Sequence, residues 1–85
     1  MAELLKEVKK RLSVTGTDLD DVLNGYIEDV LAFCESAGVP RVVAMKEYGL
    51  VSRGVNDLWT NESHFSDIFK MRLIQVKEYK TEVIM

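Results

Sequence analysis

The stretch TDLDDVLNGYIEDVLAFCESAG, residues 17–38, constrains the fold more than any other part of the chain. Leu19, Leu23, Tyr26, Val30, Phe33 and Ala37 recur at steps of four and three. That rhythm lines them along one side of about five helical turns. A helix with such a seam is stable only when the seam is covered by other elements, so the rest of the chain must pack on it. Thr17 stands where a helix cap is needed, and Asp18, Asp20 and Asp21 face the positive end of the helix dipole. Gly38, followed by Pro40, supplies the stop. The expectation is a central helix over residues 17–38.

The flanking segments read as further helices. Residues 2–12 place Leu4, Leu5, Val8 and Leu12 on one side and the lysines and Arg11 mainly on the other. Residues 13–16 are a short connection. Pro40 suits the first position of a third helix. Ala44, Tyr48, Val51, Val55 and Leu58 carry that helix to about Trp59, with a bend or close crossing near Gly49 and Gly54. Residues 60–63 form a polar break, and Ser63 is a cap for a fourth helix over residues 64–80. Its buried stripe is Phe65, Phe69, Leu73, Val76 and Tyr79, broadened by Ile68. Residues 81–85, TEVIM, have no helical role and read as a tail. The reading is one all-α domain over residues 1–85, a bundle of about four helices with the acidic second helix at its centre.

An 85-residue chain hides only about 60–65% of its unfolded surface, so part of its stability is expected to come from a partner or from copies of itself. A hydrophobic content of 47% is ample for a core. The single cysteine rules out a disulfide within the chain. No apolar run approaches the roughly 20 residues that cross a bilayer. The N-terminal segment lacks the apolar core of a secretory signal, so synthesis in the cytosol without export is expected.

Chemistry-bearing patterns are scarce. Asp18, Asp20 and Asp21 resemble the start of a calcium loop, but Val22 and Leu23 occupy the positions where such a loop needs an oxygen ligand and a glycine. Cys34, beside the seam, reads as a small buried hydrophobe. His64 is the only histidine and has no partner at zinc-ligand spacing. The glycines are scattered and form no phosphate-cradling loop. Trp59 and the tyrosines follow helical spacing and read as core or interface. No catalytic constellation, metal site or cofactor site is expected, and the chain is read as acting by contact.

Charge points to where contact occurs. The net charge of −3 argues against a dedicated nucleic-acid binder. Residues 17–38 carry six acids and no base, whereas residues 1–16 carry Lys6, Lys9, Lys10 and Arg11 against Glu3 and Glu7. Asp21, Glu28 and Glu35 lie seven apart, opposite the seam. They form either a solvated outer face or a strip that meets a basic neighbour. Gly25 and Ala32, also seven apart, leave a shallow groove on the flank. The candidate interface residues are Lys6, Lys9, Lys10, Asp21, Glu28, Glu35, Arg72, Gln75, Val83 and Ile84. Arg72 and Gln75 sit about one turn apart on the last helix, and Val83 and Ile84 make an adhesive tail.

Two blocks add a resemblance. One is VKKRLSVTGTDLDDVLNGYIEDVLAFCE, residues 8–35. The other is VSRGVNDLW, residues 51–59, followed by FSDIFKMRLIQV, residues 65–76. Together they resemble the small head–tail connector (adaptor) proteins of tailed bacteriophages and prophages, especially those of Gram-positive hosts. Gly54, Asp57-Leu58-Trp59, Phe65-Ser66 and the Arg72…Gln75 pair occur in that family's order. The connection TNES is shorter and poorer in glycine than in many relatives. The resemblance implies a structural virion protein that assembles into a ring beneath the portal and meets the stopper or tail. It also implies a DNA channel through that ring, without specific DNA binding and without a membrane. The expected location is the virion, and the host cytoplasm during assembly. In the second block, Gly54 is expected to allow close helix packing and Trp59 to anchor the core. Residues alone support a broader alternative, a helical protein–protein interaction or regulatory module with no viral role.

Overall fold

The computed structural model describes residues 2–60 and 65–78. These residues form five helices: α1 (Ala2–Leu12), α2 (Asp20–Ser36), α3 (Arg41–Ala44), α4 (Tyr48–Thr60) and α5 (Asp67–Val76). The fold is the expected small all-α bundle. Its core is the α2–α4 pair; α1 packs mainly on α4, α3 on α2, and α5 on α4.

Helix α1 has the expected bounds. Glu3 in its first turn and Lys9, Lys10 and Arg11 in its last suit the helix dipole. Leu4 and Val8 are buried, and Leu5 and Leu12 pack at the margin of the core. The helix closes on Ser13, which takes a left-handed φ of 59°. The Val14 N–H then donates to the Lys9 carbonyl at 2.9 Å and the Ser13 N–H to the Lys10 carbonyl at 3.3 Å, a helix closure made without glycine.

Helix α2 starts later than its pattern suggests. Thr17, Asp18 and Leu19 form a turn in which the Asp20 N–H reaches the Thr17 carbonyl at 3.2 Å. Leu19 therefore stands at the cap position, and no side chain caps the helix. Thr17 is not the cap because the chain still turns at that point; Asp20 and Asp21 alone occupy the first turn. The other end is as expected. Gly38 has a φ of +100°, its N–H reaches the Glu35 carbonyl, and the Val39 N–H reaches the Cys34 carbonyl at 2.8 Å. Buried Val39 completes this hydrophobic end-cap.

The seam itself is rotated. Leu23, Ile27, Val30, Leu31 and Cys34 are buried. Tyr26, Phe33 and Ala37 are only partly buried, and Leu19 is 39% exposed. Helix α2 packs against α4, α3 and α1, which widens its buried sector toward Ile27 and Leu31. Gly25 lies on the open side, with nothing within 4 Å of where a Cβ would stand.

The expected third helix is two helices. Pro40 is the cap of α3, not its first residue. After Ala44 the N–H groups of Lys46 and Glu47 bond to Val43 and Ala44 at 3.1 and 3.0 Å. This tight turn ends α3 and redirects the chain. Glu47 then accepts from the Val51 N–H at 3.0 Å and opens α4. The break lies ahead of both glycines. Gly54 makes the expected close crossing: a Cβ there would stand 2.7 Å from Phe69 Cε1 and 2.9 Å from Val30 Cγ2. The Phe69 ring stacks on Phe65 at 4.5 Å between centroids, and Phe33 closes the cluster at 4.6 Å from Phe65.

Helix α5 begins later than the expected residue 64, at Asp67. Ser66 is its cap, with the hydroxyl accepting from the Phe69 N–H. Ser63 and His64 lie outside the described residues, as do Tyr79 and the tail with Val83 and Ile84. Phe69, Leu73 and Val76 form the buried stripe. Ile68 does not broaden it: the residue is 52% exposed, and among the described helices α5 packs mainly on α4. Trp59 is 40% exposed at the end of α4 and does not anchor the core.

Burial of Cys34 has a measurable consequence. Its thiol is pushed up to about 11 from 9.0 by desolvation. Above pH 9 the unfolded chain releases a proton that the folded chain keeps. Its stabilising contribution is therefore complete below pH 9 and is lost as pH rises through about 11. Urea unfolding followed across that window is expected to show falling stability, with a shallower slope in Cys34→Ala.

Candidate functional site

The candidate interface residues do not form one patch. Lys6, Lys9 and Lys10 border a shallow cleft of about 530 Å³ together with Leu5, Val14 and Thr15. Lys9 is committed within the chain: its ammonium donates to Asp20 Oδ1 at 2.7 Å and to the Gly16 carbonyl, pinning the α1–α2 turn. The complementary charges of the first two helices thus meet, at this pair, inside one subunit.

The acidic strip is also partly spent. Arg41 Nη2 donates to both carboxylate oxygens of Glu28 at 2.8 and 2.9 Å, and Nη1 lies 3.8 Å from Glu35. The hydrogen bond to Glu28 raises Arg41 above its already high ordinary value. These groups are exposed, so the pairing orients α3 on α2 more than it stabilises the fold. Asp21 is exposed and has no ion-pair partner among the described residues. Sequence reading could not find this clamp, because Arg41 is 13 residues from Glu28 and the turn after α2 brings it back.

Asp57 joins the two halves of the block that carries the resemblance. It is only 2% exposed. Its Oδ2 accepts from the Ser66 N–H at 3.0 Å and the Ser66 hydroxyl at 2.7 Å. The same hydroxyl accepts from Phe69 N–H at 3.2 Å. One carboxylate therefore fixes the cap of α5 to the side of α4, and Gly54 lets Phe69 seat beside it.

Fixed in this way, α5 presents a second apolar line. Ile68, Met71 and Ile74 are 52%, 61% and 54% exposed, three residues apart, on the side away from Phe69, Leu73 and Val76. A helix apolar on two sides is normally covered on both.

Arg72 and Gln75 stand beside that line and edge a cleft of about 450 Å³ with Arg11, Lys46, Glu47 and Tyr48. Arg72 also borders an adjoining cleft of about 560 Å³ with Arg11, Gly49, Ser52, Arg53 and Asn56. The sequence reading missed this basic grouping. Its one legible signal is the three–four spacing of Gly49, Ser52, Arg53 and Asn56, a polar stripe along α4. Ser52 is 5% exposed, and its hydroxyl has no hydrogen-bond partner among the described residues. A buried donor without a partner costs stability. Ser52→Ala is accordingly expected to stabilise the ligand-free chain by about 1 kcal/mol, read as an increased urea midpoint.

Among the described residues no group of three His, Cys, Asp or Glu side chains could hold a metal ion. None of their helices is long and apolar enough to cross a membrane. Compared with known proteins, the chain matches no family model, no curated protein and no solved structure.

Proposed function

We propose that this chain is a structural virion protein, one copy of a ring-shaped adaptor between the portal and the tail or stopper of a tailed phage or prophage. The ring extends the DNA channel, and the chain works by contact, without turnover. Its sites of action are the virion head–tail interface and, before that, the host cytoplasm.

The observation that carries this reading is the doubly apolar α5. Residues 51–59 and 65–76 resemble the connector family, and these residues build the Asp57–Ser66 junction that holds α5 in place. The helix then turns Ile68, Met71 and Ile74 outward. A ring needs one surface of each copy to meet a different surface of the next. The exposed α5 line, and Asp21 with no ion-pair partner among the described residues, supply two unlike surfaces on one chain.

The double variant Met71→Lys with Ile74→Lys tests this. Both side chains are solvent-facing, so its unfolding midpoint is expected to stay within about 0.5 kcal/mol of the parent. Assembly with the portal protein of the same genome, followed by native mass spectrometry, is expected to fail. Assembly at the parental level would remove α5 from the interface. A stable complex with a non-virion partner instead would favour the interaction-module alternative.

A further inference from the structure

The geometry points to the cleft between α1, α4 and α5 as a binding site for a phosphate group, held by Arg11, Arg53, Arg72, Asn56 and the buried Ser52 hydroxyl. This assignment does not depend on the ring reading. Three helices each contribute one arginine to the lining of the same cleft of about 560 Å³, and none of the three arginines forms an ion pair among the described residues. Elsewhere on the molecule Lys9 and Arg41 have found carboxylates. Three like charges left together, in a chain of net charge −3, repel one another unless an anion joins them.

Ser52 supplies the second, independent observation. Ser52 borders the same cleft, and its hydroxyl is withdrawn from solvent with no hydrogen-bond partner among the described residues. Buried hydroxyls are ordinarily paired. An oxyanion in the cleft gives this one an acceptor. Gly49 keeps the approach open, since a Cβ there would meet nothing within 4 Å. The amide of Asn56, one turn beyond Ser52 on α4, adds a neutral donor.

The donor set selects the class of anion. Guanidinium forks match phosphate and carboxylate oxygens alike. A carboxylate offers two oxygens and one charge, too few for three guanidiniums, a hydroxyl and an amide. A phosphate group offers at least two unesterified oxygens at any linkage, up to two charges, and a tetrahedral shape that donors can approach from several sides. Among the described residues no carboxylate borders this cleft; Glu47 stands on the neighbouring one. The phosphate is either free, as inorganic phosphate or pyrophosphate, or part of a nucleic-acid backbone.

Amide-resolved NMR of the full chain tests the site. The probes are inorganic phosphate, pyrophosphate, acetate and a short mixed-sequence DNA duplex, each at ionic strength matched with chloride. Saturable shifts centred on Gly49, Ser52, Arg53, Asn56 and Arg72 are expected with at least one phosphate-bearing probe and not with acetate. Duplex that competes with pyrophosphate assigns the backbone as source; pyrophosphate alone assigns the free anion. Arg53→Gln and Arg72→Gln, both at exposed positions, are each expected to weaken binding about tenfold or more. Ser52→Ala is expected to weaken it while leaving the chain folded. No saturable shift with any phosphate probe, an equal response to acetate, or parental affinity in all three variants overturns the assignment.

Discussion

Phe69→Ala is expected to remove about 3–5 kcal/mol of stability, comparable with all that a core of this size supplies. Phe69 is fully buried. It stacks on Phe65, stands 6.0 Å from Phe33 between centroids, and fills the space that Gly54 leaves open. Truncation opens a cavity beside Gly54, where no Cβ is present to fill it and Val30 is the other side chain in close contact. Urea unfolding followed by far-ultraviolet circular dichroism is the measurement. A loss below about 1 kcal/mol would mean that the aromatic cluster is not the centre of packing for α5. The same geometry makes Gly54→Ala unfavourable although alanine is the better helix former. Phe69→Leu in that background is expected to recover part of the loss.

Asp57→Ala is expected to cost about 2–4 kcal/mol, since it removes two charge-assisted hydrogen bonds and loosens the cap that Ser66 provides. Its signature is local. Helix α5 is attached through its buried stripe and this junction, so amide exchange should accelerate across Asp67–Val76 well before it does in α2. A double-mutant cycle with Ser66→Ala should give a coupling of about 1 kcal/mol or more. Uniform exchange across all helices, with no coupling to Ser66, would mean that Asp57 acts only as a generic buried polar group.

These two residues mark the boundary of what the chain discloses in linear form. Gly54 is readable as a candidate close crossing, but so is Gly49, and only Gly54 has a side chain from another helix where its Cβ would stand. Gly38 was readable as a stop, because a left-handed closure favours glycine. Asp57 was not readable as buried: an acid near a helix end normally faces water, and its partner is set by where the next helix begins. That start fell at Ser66, three residues beyond the serine that the pattern favoured. The turn at residues 45–47 escaped for another reason. Val43 with Leu50, and Ala44 with Val51, keep seven-residue spacing across it, so the apolar rhythm of a continuous helix persists through a real break.

Surface chemistry was less legible than the fold. Residue type placed the charges on Lys9, Glu28 and Glu35 correctly, but three-dimensional closure decided that they would be satisfied within the subunit. Arg11, Arg53 and Arg72 lie far apart in sequence and come together only because α1 and α5 both pack on α4. The central seam erred by a fraction of a turn, because periodicity identifies one apolar side while a helix packed against three others buries more than one.

The most direct test of the proposed role is the mass of this chain measured over a range of concentrations, alone and mixed with the portal ring of the same genome. The portal is expected to seed a closed ring of many copies, whether or not the isolated chain assembles. A monomer that ignores the portal at every concentration would contradict it.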